Sequence, residues 1–463
     1  MRELGKKRAH LPPRQLLGQI PNLWPSMKPC LLMSPLSVAQ HLGPDTPSFD
    51  LVIFDEASQI PVADAIGVIA RGKQIIVVGD PKQMPPSRLF DSSEDDDEIG
   101  DGFERDLDSI LDECVAHMNR VQLNWHYRSK HEDLIAFSNH RYYNGELITF
   151  PSPQQTDVGI VVHDVKGQYE RGLRRVNRQE AEAVVEAIVK HYSKPGKKSS
   201  LGVITFNQNQ QRLINKLLDA ARAENPTLDA ALSREEEEIF IKNLDTVQGD
   251  ERDVIYFSTT FAPDESGSFP MNFGPLGQRG GERRLNVAIT RARERVEIFT
   301  SFHPGQLDVS RVAHQGIRDF RDYLTFARGG ADALLAVSTP TVGLADSPFE
   351  LDVRHRLEKL GWRVQPQVGC SGYRIDMAVF HPHKPGVFLA GIECDGATYH
   401  SFKVARDRDR MRQRVLERLG WKILRIWSTD WWQDPTYEID RIHNQLKDQL
   451  ALEKSHDDIP PVV

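Results

Sequence analysis

LVIFDEASQI (51–60) and, one helix length later, QIIVVGDPKQMPP (74–86) decide how this chain is read. Each opens on a short run that is apolar at every position and rich in β-branched residues, the pattern of a strand buried in a parallel sheet. About a dozen amphipathic residues lie between them, so the stretch reads as a βαβ unit. Asp55 and Glu56 follow directly on the first apolar run. A carboxylate at the end of a buried strand is a place for nucleotide-bound Mg2+, and a neighbouring Glu is placed to orient an attacking water.

The pattern repeats downstream. LGVITF (201–206) is a strand followed at once by the helical stretch NQNQQRLINKLLDAA, VIYFSTT (254–260) is another strand, and RLNVAITRARERVEIFTS (284–301) is a helix running into a strand. The Gly- and Pro-rich residues 262–282 read as a loop, and 328–346 as a small, polar linker. A smaller unit follows, as a helix (350–360), strands in WRVQPQV, YRIDMAVF and FLAGIECDG, a long basic helix (402–419) and a strand in KILRIW. The expected organisation is a partial first lobe over 1–120, a complete second lobe over 121–327, a linker, an α/β domain over 347–440, and a tail over 441–463.

Composition is that of a globular chain of 463 residues, with 39% hydrophobic and 27% charged residues. No apolar run is long enough to span a membrane, and nothing apolar follows Lys6-Lys7-Arg8 to make a secretory signal. Cys30, Cys114, Cys370 and Cys394 form no CxxC pair, which points to reduced thiols and a cytoplasmic setting. The formal charge of −8 hides an uneven distribution. Residues 91–108 are strongly acidic, whereas Lys403–Arg425 carries nine Lys or Arg against three Asp or Glu, a local +6. That segment reads either as a solvated helix face or as a nucleic-acid contact surface.

Five motifs in order carry a resemblance. Asp55-Glu56-Ala57-Ser58-Gln59 and Gly79-Asp80-Pro81-Lys82-Gln83-Met84-Pro85-Pro86 look like motifs II and III of superfamily 1 helicases. Leu123–Ser129 (LNWHYRS), Asp245–Glu251 (DTVQGDE) and Asn286–Arg293 (NVAITRAR) look like that family's later motifs. The resemblance implies two RecA-like parallel-sheet lobes that bind ATP and Mg2+. Asp55 would hold Mg2+, Glu56 would be the catalytic base, and Gln83 would sense the γ-phosphate. Arg128 would reach that phosphate from the second lobe, Gly249 and Glu251 would line the nucleotide site, and Arg291 would be an arginine finger. Fixed guanidinium groups suit this chemistry because phosphoryl transfer spreads negative charge. Lys28–Ser37 is similar to a first-lobe strand and turn in which Ser34 and Ser37 would touch DNA phosphates; a plain strand with Ser37 capping the next helix is the other reading. No GxxxxGK[ST] loop occurs in the chain. The expectation is that a preceding segment or a separate polypeptide supplies it, and that this chain alone hydrolyses ATP poorly.

The last unit places acids in a telling pattern. Asp376 stands mid-strand between Ile375 and Met377, where an unpaired carboxylate is costly and implies a partner such as a metal. Glu393 and Asp395 share one strand face by period two. Together with Glu350, Tyr399-His400, the Arg-rich segment and LGWKILRIW, they resemble the PD-(D/E)xK nuclease fold, most closely its very-short-patch-repair-like group. The resemblance implies that Asp376 and Glu393 hold Mg2+, with Glu350 and Asp395 assisting. Asp395 stands where the usual lysine would be, so the group that assists the water is open, with His400 a candidate. Arg406, Arg410 and Arg414 lie four apart on one helix face, suited to phosphates. Trp421, Trp427, Trp431 and Trp432 read as core residues rather than base-stacking platforms. Three readings follow: an ATP-driven DNA motor coupled to a Mg2+-dependent endonuclease in DNA processing, repair or defence; a truncated subunit that does not hydrolyse ATP; and a nucleic-acid-binding module with a silent nuclease. DNA is favoured over RNA.

Overall fold

The computed structural model describes residues 10–43, 46, 48–86, 109–153, 159–172, 174–193, 199–234, 237–269, 273–309, 312, 314–330, 347–369, 373–395 and 403–457. Two compact units meet in sequence between Gln122 and Leu123.

In the first unit, strands β1 (Val52–Phe54) and β2 (Ile75–Val77) pair in parallel, with Phe54 opposite Val77. Short helices α1 (Pro13–Gln19), α2 (Trp24–Met27) and α3 (Pro35–His41) precede them. Helix α4 (Val62–Ile69) joins the two strands, and α5 (Ile110–His117) follows. Phe54, Ala65, Ile110 and Leu111 close a small core on one face. The expectation of strands buried on both sides fails here. Ile53 is 61% exposed and Ile76 47%, because the described residues cover one face of this two-stranded sheet and not the other. Lys28–Met33 also forms no strand.

The second unit opens with α6 (Asp133–Tyr142) and contains two sheets. The larger is wholly parallel, in the order β3 (Ile160–Asp164), β7 (Ala292–Thr300), β6 (Arg252–Ser258), β4 (Leu201–Thr205), β5 (Phe240–Asn243). Its crossovers use α7 (Arg178–Ser193), α8 (Gln208–Glu224), α9 (Pro226–Leu232) and α10 (Gly281–Ile289), and α11 (Gln315–Gly329) follows β7. The interior strand β4 is buried at every position, as a parallel strand covered on both faces must be. Asn207 caps α8 by accepting from the Gln210 amide at 2.8 Å.

The smaller sheet is mixed, in the order β11 (Ile423–Trp427), β10 (Phe388–Asp395), β9 (Ile375–Phe380), β8 (Val364–Val368). Strands β8, β9 and β10 are antiparallel neighbours, and β11 returns parallel to β10 after the basic helix α13 (Lys403–Arg418). Helices α12 (Pro348–Lys359), α14 (Ser428–Gln433) and α15 (Pro435–Asp457) complete the domain. The expected tail from 441 is a correction: Ile442 and Leu446 of α15 are fully buried in the core with Trp431, Val353 and Ile392. The chain after 440 therefore finishes the hydrophobic core. Trp421 and Trp431 are buried as core residues, whereas Trp432 is 64% exposed.

Candidate functional site

In the first unit, β1 and β2 end in register, so the residues after them emerge at one carboxyl edge, where α/β sheets bind ligands. Asp55 and Glu56 are exposed there. Glu56 holds a left-handed backbone (φ 52°), and its amide donates to Asp55 Oδ1 at 2.9 Å. The Ala57 amide donates to Val78 O at 2.9 Å, which ties the two motif loops together. Gln83 Nε2 donates to Asp80 Oδ2 at 3.1 Å. A Cβ on Gly79 would sit 3.0 Å from the Ser58 nitrogen, so the close approach of the loops favours glycine. Ser34 Oγ accepts from the Ser37 amide at 3.2 Å and caps α3. Ser34 is thus the cap, not Ser37, and it secures the short helix rather than the one expected to begin at Ser37.

In the second unit, Arg128 and Arg293 both approach Glu251, and the charges of Arg128 and Arg291 act on His126. Arg128 Nε pairs with Glu251 Oε2 at 2.7 Å. Arg293 binds Asp253 Oδ1 at 2.8 Å, Ser200 Oγ at 2.9 Å and Glu237, and it lies 3.5 Å from Glu251 Oε1. His126 is half-buried and feels the charges of Arg128 and Arg291. Burial, then those charges, lower its pKa to about 4. Gly249 sits at φ 86°, the left-handed conformation that glycine supplies without strain. Arg291 is 4% exposed, with Nε donating to Val287 O at 2.7 Å and Nη2 to Thr290 Oγ1 at 3.0 Å. The expected finger is therefore folded into its own helix end in this structure. A guanidinium fixed by two local acceptors is held close to the cluster instead of projecting from it.

The carboxylate cluster belongs to the smaller sheet. The β9–β10 register pairs Ile392 with Met377, which places Glu393 opposite Asp376 and on the same face. The Cys394 amide donates to Asp376 Oδ2 at 2.7 Å. Tyr373 Oη donates to Glu393 Oε1 at 2.5 Å. Arg425 Nη1 of β11 pairs with Asp395 Oδ2 at 2.8 Å. Glu350 stands in the first turn of α12, where Ser347 caps the helix and donates to Glu350 Oε1 at 2.7 Å. Gln367 Nε2 donates to Glu350 Oε2 at 3.1 Å, from a residue held at φ 50°.

Burial, followed by the charges of Glu350 and Asp395, pushes Asp376 up to about 6. Burial and the Asp376 charge push Glu393 up to about 8. Burial keeps the Cys394 thiol protonated. Among the described residues, no three His, Cys, Asp or Glu side chains already converge as a metal-binding group. The donor chemistry still suits a hard divalent cation, because carboxylate oxygens from three strand positions repel one another and a cation relieves that repulsion. Tyr373, Gln367 and Arg425 were not singled out from sequence. Tyr373 and Gln367 carry no motif signature, Arg425 stood only within the LGWKILRIW motif, and the roles of all three come from register and hydrogen bonds. His400 lies outside the described residues, as does the side chain of Arg406; Arg410 and Arg414 are exposed on α13.

Comparison with known proteins finds matches to two family models and to several helicases. An AAA domain model matches residues 106–302. A restriction-endonuclease-like model, REase_MTES_1575, matches residues 349–446. The uncharacterized ATP-dependent helicase MG140 homolog of Mycoplasma pneumoniae is 31% identical over 420 residues, 86% of this chain. The mouse 5′-3′ DNA helicase ZGRF1 is 28% identical over 263 residues, 55% of this chain and 13% of that protein. A solved arterivirus helicase structure, from PRRSV, is 15% identical and covers 57% of this chain and 37% of its own, with a TM-score of 0.27. The chain spans 37% of the length of the Mycoplasma relative.

Proposed function

From a chain that carries a superfamily 1 helicase segment followed by an endonuclease-like domain, we propose that an ATP-driven motor on DNA delivers strands to a Mg2+-dependent endonuclease. The observation that carries the nuclease reading is the face-to-face pair Asp376 and Glu393, each pushed upward in pKa, with Glu350 and Asp395 beside them. Asp376 and Glu393 would hold Mg2+, which supplies Lewis-acid activation of the scissile phosphate and a lowered pKa for a bound water. Tyr373 and the Cys394 amide fix one oxygen each of Glu393 and Asp376. Arg425 neutralises Asp395, and Arg410 and Arg414 line the helix face that meets phosphates.

In the first unit, Asp55, Glu56 and Gln83 are the residues suited to a nucleotide and its Mg2+; in the second unit, Arg128 and Glu251 are the residues suited to nucleotide chemistry. This polypeptide by itself turns ATP over slowly, because it contributes no phosphate-cradling loop. The free thiols of Cys30, Cys114 and Cys394 are in keeping with work in the cytoplasm. Plasmid cleavage with Mg2+ tests the nuclease reading: the wild type nicks and Asp376→Ala does not, while equal cutting by both removes the assignment. ATP hydrolysis with and without single-stranded DNA tests the slow turnover of this chain, and rapid DNA-stimulated turnover contradicts it.

A further inference from the structure

The second unit joins its two sheets through a short extended segment. Ile148 still belongs to the motor lobe: its amide donates to Asn124 O at 2.7 Å, and its carbonyl accepts from the His126 amide at 2.9 Å. Five residues on, Pro153 O accepts from the Phe388 amide of β10 at 2.8 Å. Between them, Trp421 Nε1 donates to Pro151 O at 2.7 Å. Phe150 is 2% exposed and lies in the core of the endonuclease-like domain, with Ile375, Phe388, Leu416 and Trp421. A motor-lobe residue thus fills the nuclease core.

Phe150 also meets two other rings. Trp125, which precedes His126 and Arg128 in the motif, meets it edge-on at 5.8 Å. Tyr373 meets it at a tilt, with ring centroids 5.4 Å apart. The Arg412 guanidinium covers the Tyr373 ring at 5.3 Å, and Tyr373 Oη donates to Glu393 Oε1. The contacts run without a gap from the arginine motif to the carboxylate cluster.

We propose that Tyr373 is a positioning residue for Glu393 and that Phe150 of the motor lobe holds Tyr373 in place, so that the divalent-cation site takes its set from the motor. This deepens the nuclease reading given above and rests on it. A phenol ring in contact with both a tilted aromatic ring and a guanidinium is restricted in orientation. Its hydroxyl then fixes one oxygen of the half-buried Glu393 carboxylate, and partners of this kind orient metal-binding groups.

The test uses the full chain without DNA and reads the rise in Tm on adding MgCl2, a readout independent of cleavage. The variants are Tyr373→Phe, which keeps the ring, Phe150→Leu, which keeps an apolar filler, and the double variant. Losing one hydrogen bond to a charged group is worth about tenfold. Tyr373→Phe should therefore move the Mg2+ midpoint up by about tenfold, Phe150→Leu should move it the same way, and the double variant should fall no further than Tyr373→Phe alone. A wild-type midpoint in Tyr373→Phe, additive shifts in the double variant, or no Mg2+ response in the wild type overturns the proposal. Failure of the nuclease reading is a separate result: a wild type that shows the Mg2+ response but cuts plasmid no better than Asp376→Ala.

Discussion

Asp376 and Glu393 face each other across the antiparallel pair β9–β10, and the negative charge of Asp376 helps raise the pKa of Glu393. Two half-buried carboxylates that repel each other compete for protons and for cations alike. Cation binding must therefore displace protons. The Mg2+ midpoint, read from Tm, should rise as pH falls from 8 to 6, because Glu393 is pushed up to about 8 and Asp376 to about 6. Glu393→Gln should flatten that dependence. A midpoint independent of pH in the wild type contradicts the coupling.

Glu180 of α7 gives a second pH signature, within the motor lobe. It is fully buried and accepts from Ser258 Oγ at 2.7 Å and from the Thr260 amide at 2.6 Å. Burial outweighs these donors and pushes it up to about 7. An acid with a higher pKa folded than unfolded costs stability as pH rises from its unfolded value through the folded one. The Tm of Glu180→Gln relative to wild type should accordingly increase between pH 5 and pH 8. Glu180→Ala should lower Tm at both, since it strands the donors. A constant difference between Glu180→Gln and wild type would show that the carboxyl is ionised throughout.

Arg293 is pinned by Asp253, Glu237 and Ser200, close to Glu251. Removing it leaves several partly buried carboxylates without their counter-charge. Arg293→Ala should cost roughly 1–3 kcal/mol in denaturant unfolding, and Arg293→Lys should recover part of it, because one ammonium cannot reach all of these acceptors. Full stability in Arg293→Ala contradicts the network.

Helix α15 separates core from surface within its own length. Leu446 is fully buried and Leu452 is 60% exposed. Leu446→Ala should destabilise the domain by about 2–5 kcal/mol, and Leu452→Ala should change stability by less than about 0.5 kcal/mol. Equal effects contradict the packing described.

Arg410 and Arg414 project from α13 into solvent. If they meet phosphates, the double substitution to Ala should lower the slope of log binding constant against log salt by up to about 2. An unchanged slope in a filter-binding or anisotropy titration removes them from the interface.

The parallel order of the motor strands was legible because apolar runs, caps and motif carboxylates coincide along the chain, as at Phe54-Asp55-Glu56. The carboxylate cluster was legible because Asp376 breaks an apolar strand and Glu393 and Asp395 share a face. What escaped the sequence depends on distant chain segments. Tyr373 gains meaning only from Glu393 twenty residues on, and Phe150 only from a sheet that begins at residue 364. Periodicity also reports that Ile53 is apolar but not what covers it. For the same reason it missed that Ile442 and Leu446 of the supposed tail complete the core of the endonuclease-like domain, since α15 carries its buried stripe under a largely polar composition.

The most direct measurement is plasmid nicking in Mg2+ by the wild type, Asp376→Asn, Glu393→Gln and the double variant. If these carboxylates act together on one cation, each single substitution should cost at least about 100-fold and the double should be no worse than either, as for residues that work as a unit. Single losses that multiply in the double variant, or cleavage untouched by either substitution, would contradict the account.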